Sequence, residues 1–199
     1  ADVQSLFGIN HQRKTILAWS LNTESVIERE ERKTSPLSAR LEAAHNCQTQ
    51  GYPLAFHFDP MIIYDGCHAE YEKVIDQLFE RIDPSNIVWI SMGTFRFMPA
   101  LKPVIRRRFP RSKIVYGEFV KTLDGKMRYF KPLRIGLYRR LVDRIRRWSP
   151  DVTLYFCMED DEVWFKTLGF LPGDRGGLPR MLDESAATVC GLQGVFQSR

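Results

Sequence analysis

The 199-residue sequence has no apolar run approaching the roughly 18 residues that a membrane-spanning helix needs. Its opening, ADVQSLFGIN, has neither a charged n-region nor an apolar h-region, so no secretory signal is expected. A soluble cytoplasmic chain is the default expectation. It begins without Met, which suggests that something precedes it or was removed. Cysteine is sparse: Cys47, Cys67, Cys157 and Cys190 stand far apart and form no CxxC or CxxxCxxC set. Four reduced, mostly structural thiols are expected, with no metal site readable from their spacing. GxSxG, P-loop and GxGxxG patterns are also missing, as are fixed-period repeats and low-complexity tracts. GDRGG (173 to 177) is too short, and too far from a strand-to-helix turn, to cradle a phosphate.

With 44% hydrophobic and 27% charged residues, the chain can build a packed core of ordinary size. Its net charge of +5 is modest, but arginine is concentrated in VIRRRFPRSK (104 to 113) and LYRRLVDRIRRW (137 to 148). In the second stretch Leu137, Leu141, Ile145 and Trp148 recur at helical spacing, which puts the arginines on outward faces. A solvated basic face and a phosphate-contacting surface both fit that pattern.

Short apolar runs alternate with helical patterns, the mark of an α/β domain. TILAWSLN (15 to 22) predicts a strand with Ile16, Ala18, Ser20 and Asn22 on one face. SPLSARLEAAHNCQTQG predicts a helix with Ser35 as N-cap and Pro36 in its first turn. A strand PLAFHFDP, a helix from Cys67 to Ile82, a strand NIVWISMG (86 to 93) and a short helix MPALKPVIRRRF complete three strand-helix units. Parallel strands with right-handed crossovers follow. SKIVYGEFVKTLDGKMRYFKP (112 to 132) breaks the rhythm with two β-rich arms around Asp124-Gly125, a hairpin inserted into the α/β core. The arginine helix, a strand VTLYFCM (152 to 158) and a helix from about Asp160 to Leu168 come next. Residues 171–199 read as a Gly- and Pro-punctuated C-terminal tail with room for one helix, PGDRGG being its candidate flexible stretch.

Ligands of parallel α/β sheets sit at the carboxyl ends of the strands. Ser20 and Asn22 close the first strand, His57 and Asp59 the second, Ser91 and Thr94 the third. His57 and Asp59, two residues apart, share a face of the strand. Alone, such a pair is as readily a satisfied core pair or a helix cap. Its recurrence on three strands favours a site. His57-x-Asp59 also resembles a metal-ligand pair, but no third and fourth ligand stands at useful spacing.

WSLNTESVIE, SPLSARLEAAHNCQTQGYPLAFHFDPMIIYDG, YEKVIDQL and KIVYGEFVKTLDGKMRYFKP, in that order, resemble the C-terminal part of the spore photoproduct lyase family, over roughly residues 10 to 170. These are radical S-adenosylmethionine enzymes whose best-known member repairs a thymine dimer in DNA. The resemblance implies the C-terminal part of a partial (β/α)6 TIM-like barrel over residues 1–170, with an inserted β-hairpin. It also implies a [4Fe-4S] cluster on a CxxxCxxC loop and S-adenosylmethionine cleaved to a 5′-deoxyadenosyl radical. The cysteine loop is not in this sequence, so the cluster-bearing half of the barrel is expected to be missing and the chain alone inactive. Carried over by motif, Ser20 contacts the methionyl end of the cosubstrate and Asn22 lies beside it. His57 and Asp59 point into the barrel mouth, His57 orienting the carboxylate. Asp59 stands where DNA-repairing members carry a small residue before proline, which leaves the substrate open. The hairpin resembles the family's DNA-contacting hairpin, with Arg128, Tyr129, Lys131 and Arg134 placed to meet phosphates and a displaced base. A structural ribbon with a wet basic edge is the alternative.

Two functions remain: a radical enzyme of the lyase type, or a non-catalytic module that binds nucleic acid or protein.

Overall fold

The computed structural model describes residues 2–192. Four parallel strands, β1 (Leu17–Ser20), β2 (Leu54–Met61), β3 (Ile87–Thr94) and β7 (Thr153–Phe156), form one sheet in the order β1-β2-β3-β7. Their alternation has a plain cause: successive side chains point to opposite faces. Leu54, Phe56, Phe58, Val88, Ile90, Met92, Leu154 and Phe156 face the helices and are all buried. Each large side chain among them contributes about 1.5–3 kcal/mol by leaving water. On the other face His57, Asp59, Trp89 and Tyr155 are only half-buried, while Ala55, Ser91 and Gly93 between them are buried.

Helices α1 (Glu24–Glu30), α2 (Leu37–Thr49), α3 (Cys67–Phe79), α5 (Lys131–Trp148), α6 (Asp161–Leu168) and α7 (Leu178–Cys190) fill the connections. α3 buries Tyr71, Val74, Ile75 and Leu78 at helical spacing, and α5 answers with Leu137, Tyr138, Leu141 and Ile145. α1 was not expected from the sequence. Thr23 caps it, its side-chain oxygen accepting from Val26 N at 3.3 Å. Ser35 does not cap α2 as expected: Pro36 holds the cap position, and the Ser35 carbonyl accepts instead from Arg40 Nε at 2.8 Å.

Between β3 and α5 the chain leaves the parallel sheet. β4 (Arg96–Phe97), β5 (Phe119–Lys121) and β6 (Met127–Tyr129) make a separate antiparallel sheet in the order β4-β6-β5, with α4 (Leu101–Arg108) between β4 and β5. The turn at Asp124-Gly125 lies where expected, and Gly125 supplies the positive φ of 80°. The arms are shorter than the sequence suggested. Phe97 and Tyr129 pack on Phe119 at centroid distances of 5.0 and 4.3 Å, so aromatic contact holds the ribbon.

Two further expectations are corrected. The arginines of the 137–148 stretch of α5 lie outward but are only partly free: Arg140 pairs with Glu72 at 2.7 Å, Arg144 with Asp76 at 2.5 Å, and Arg146 donates to the carbonyls of Ser149 and Val152, while Arg147 stays exposed. PGDRGG is not an open loop, since Pro172–Arg175 form a 3-10 turn leading into α7. α7 packs on β3 and β7, and Ser185 Oγ donates to the Val88 carbonyl. Residues 193–199 of the expected tail lie outside the described residues.

The ribbon is tied to the parallel sheet by one buried ion pair. Arg134, in the first turns of α5, pairs with Glu159 just beyond β7, and their side chains are 3% and 2% exposed. Arg134 Nε also donates to the Tyr129 carbonyl at 3.0 Å, while Tyr138 Oη donates to Glu159 Oε1 at 2.7 Å. Removing one partner strands the other charge in a dry interior, at a cost of about 3–5 kcal/mol. Arg134→Ala is therefore expected to lower the urea-unfolding free energy by about that amount, and Arg134→Met combined with Glu159→Leu to recover most of it.

Candidate active site

Register brings one polar layer together across the open face. Ser20 lies opposite His57, His57 opposite Ser91, and Ser91 opposite Tyr155. His57 Nδ1 and Ser91 Oγ are 2.6 Å apart, and Tyr155 stands opposite Ser91 on the next strand. Burial pulls the His57 pKa below its ordinary value, and Asp59 opposes the shift without cancelling it. The imidazole is therefore neutral at pH 7. Burial raises Tyr155, with the nearby Ser91 hydroxyl working against it, so the phenol keeps its proton.

One layer toward the carboxyl ends lie Asp59, Gly93 and Cys157. Asp59 does not pair with His57: among the described residues its carboxylate is taken by Arg96, with Nη1–Oδ1 at 3.0 Å and Nη2–Oδ2 at 3.3 Å. The second guanidinium nitrogen also reaches Cys157 Sγ at 3.3 Å. Burial, then Asp59, raises the Cys157 thiol, with Arg96 opposing. The carboxylate lies so close over Gly93 that a Cβ there would come within 2.7 Å of Asp59 Cγ. One layer below His57, Trp89 Nε1 is buried with no hydrogen-bond partner.

Ser20 is held in place through its main chain. Arg40, 7% exposed, donates to the Ser20 carbonyl at 2.9 Å and pairs with Glu31 at 2.5 Å, leaving the Ser20 side chain on the exposed face. Asn22 is corrected: β1 ends at Ser20, and Asn22 is buried in the following loop. Its Nδ2 donates to Glu31 and the Pro60 carbonyl, and its Oδ1 accepts from Tyr71 Oη at 2.7 Å. Thr94 is also buried, its amide donating to Tyr138 Oη at 2.8 Å.

The four residues expected to contact nucleic acid point inward or are paired. Arg128 is 7% exposed and bonds Asp124 Oδ2 at 2.6 Å and the Met158 carbonyl at 2.9 Å. Tyr129 is 2% exposed, and its hydroxyl accepts from Ile63 N at 3.2 Å. Burial pushes its phenol up to about 12. Lys131 pairs with Asp160 and Glu162, and Arg134 with Glu159. Arg128, Tyr129 and Arg134 thus frame the ribbon from within, and Lys131 keeps a partly exposed side chain.

A family model described as spore photoproduct lyase matches residues 1–135 of the sequence. The chain belongs to the spore photoproduct lyase family. The spore photoproduct lyase of Clostridium acetobutylicum is 27% identical over 144 residues, 72% of this chain and 40% of that protein. The Bacillus subtilis enzyme is 32% identical over 141 residues, covering 68% of this chain and 38% of the relative. A solved spore photoproduct lyase, doubly substituted and bound to AdoMet and a dinucleoside spore photoproduct, superposes with a TM-score of 0.70 at 25% identity. That match covers 77% of this chain and 48% of the other. The chain thus spans well under half the length of these curated relatives, and its mixed α/β fold is that of the family.

Cys47, Cys67, Cys157 and Cys190 are all free, and no group of three or more metal-ligating side chains gathers among the described residues. These cysteines do not fit an iron–sulfur cluster. The open face does fit a polar cosubstrate: it offers a hydroxyl at Ser20 and an imidazole held by Ser91.

The sequence missed Arg96, Gly93, Tyr155, Cys157 and Arg40. A period of two in VTLYFCM does place Thr153, Tyr155 and Cys157 on one face. Arg96 carried no signal, because the chain turns between β3 and β4 to deliver it.

Gly93→Ala is expected to displace the Asp59 carboxylate from Arg96 and cost about 1–3 kcal/mol. In an Asp59→Ala background the same substitution should cost much less, a double-mutant cycle measured by urea unfolding. His57 binds its proton less readily folded than unfolded, so its contribution is complete above the unfolded pKa of about 6.5 and is lost as pH falls through the lower folded value. Unfolding midpoints measured at stepped pH should fall more steeply below pH 6.5 for the wild type than for His57→Gln.

Proposed function

We propose that the chain is the C-terminal portion of a partial (β/α)6 barrel from a radical S-adenosylmethionine enzyme of the spore photoproduct lyase type, acting on a thymine-derived lesion in DNA. The carrying observation is the polar layer Ser20, His57, Ser91 and Tyr155 on the open face, one layer below the carboxyl ends of parallel strands, where ligands of such sheets bind. The cosubstrate, when bound with its cluster, supplies the radical that begins hydrogen abstraction from the lesion. The cluster would be held by cysteines outside these 199 residues.

This chain's residues bind and orient. Ser20, fixed through its carbonyl by Arg40, offers a hydroxyl to the amino-acid end of the cosubstrate. Neutral His57 is turned by Ser91 so that its other ring nitrogen faces the open side. Asp59 and Arg96 neutralise each other at the rim, which keeps net charge away from an uncharged base while leaving Cys157 protonated. The hairpin presents its tip, where Lys121 and Leu123 are exposed, toward nucleic acid, and Arg128 and Tyr129 hold the frame behind it.

One observation favours the non-catalytic module: the Asp59–Arg96 pair closes the rim with groups already satisfied by each other. Calorimetric titration with S-adenosylmethionine separates the two readings, using the full-length protein reconstituted with iron and sulfide. The enzyme reading expects binding that Ser20→Ala weakens by about 3- to 10-fold, the worth of one hydrogen bond. Absence of binding in the reconstituted protein, with DNA binding retained, establishes the module instead.

A further inference from the structure

The two arginine-rich stretches have opposite fates. In α5, Arg140 and Arg144 are paired with carboxylates of α3. Residues 102–113, covering α4 and the turn after it, hold Lys102, Arg106, Arg107, Arg108, Arg111 and Lys113 and no acid. All six are exposed. Among the described residues none of them forms an ion pair.

Aromatic rings order this charge. Lys102 Nζ and Arg106 Cζ lie 5.8 and 6.0 Å from the centroid of Tyr116, itself 56% exposed. Arg108 and Arg32 lie 5.7 and 4.7 Å from that of Phe109, so the α1–α2 turn adds a further cation. A cation above a ring face is held without losing its N–H donors, which stay free for acceptors in solvent. Glu30 touches the segment, but its carboxylate accepts from Ser112 Oγ at 2.6 Å.

We propose that this face is a docking surface for the phosphate backbone of duplex DNA. Concentrated positive charge without counter-charge fits a polyanion. The roughly 12 Å length of an eight-residue helix runs beside a stretch of duplex that carries about seven phosphates on its two strands together, so several of them come within reach of the six long cationic side chains. An anionic bilayer fits less well. Of α4's branched aliphatic side chains only Leu101 is exposed, Val104 and Ile105 being half-buried, and the nearby rings lie under cations, so little apolar surface is left to enter lipid. The chain runs from this surface straight into β5 of the hairpin, so backbone contact here would set where the ribbon meets the duplex. The inference rests on the proposed function only in taking DNA as the polyanion.

The test is fluorescence anisotropy of a labelled, undamaged duplex of about 20 base pairs with the chain, between about 50 and 200 mM salt. Arg106→Gln/Arg107→Gln/Arg108→Gln is expected to bind about tenfold or more weakly and to lower the salt slope by about 3. The matching triple Lys variant should keep the slope. Lys73→Gln/Arg81→Gln/Arg147→Gln, exposed elsewhere, should change affinity less than about twofold. Equal losses in both Gln triples would reduce the effect to net charge and overturn the assignment. So would binding to phosphatidylserine vesicles without binding to the duplex. Lesion turnover by the full-length protein reconstituted with iron and sulfide, on a dinucleotide too short to reach α4, should be unaffected by the α4 variant. Failure of docking and failure of the enzymatic reading are therefore distinguishable.

Discussion

The arrangement depends on one buried ion pair. Arg134 and Glu159 meet where the first turns of α5, the root of the ribbon and the end of β7 converge. Two opposite charges taken out of water at this depth tolerate little displacement, because the attraction that offsets their desolvation falls off as they separate. Tyr138 and the Tyr129 carbonyl complete their hydrogen bonding, and Tyr138 Oη also accepts from the Thr94 amide at the end of β3. The ribbon, β3 and β7 are thus referenced to one point, and Arg96 reaches Asp59 across the gap that this point fixes.

The parallel sheet expresses a division of labour between its faces. The helix-facing side carries the apolar burial that makes the domain stable. The open side carries groups whose pairing is local: His57 with Ser91, Asp59 with Arg96, and an indole N–H with no partner. Stability therefore does not require the open side to be apolar, and chemistry can be varied there at modest cost to the fold.

Much of this was legible in the sequence, for identifiable reasons. A period of two in PLAFHFDP and NIVWISMG, with a helical period in CHAEYEKVIDQLF, defines parallel strand-helix units, and Asp-Gly marks the hairpin turn. Ser20 and His57 were placed on the open face because strand parity is local information. Asn22 was misplaced because parity ends where the strand ends, and the strand stops two residues earlier. Arg128, Tyr129 and Arg134 were read as surface because their burial depends on partners 25 to 66 residues away, such as Glu159 and Ile63. Arginine count is equally blind to pairing: α5 and α4 look alike as strings, and only the carboxylates of α3 tell them apart.

The row from Ser20 through His57 and Ser91 to Tyr155 lies across the strands, one residue from each. Neighbouring strands stand about 4.8 Å apart, so the row is a ruler nearly 15 Å long whose graduations are set by backbone pairing. Sliding any one strand by a single residue would swap its polar mark for an apolar side chain and an apolar side chain for its polar mark. A mis-registered molecule would thus lose its packing together with its site. In such a sheet, folding proofreads the site: molecules that pack are those whose marks are aligned.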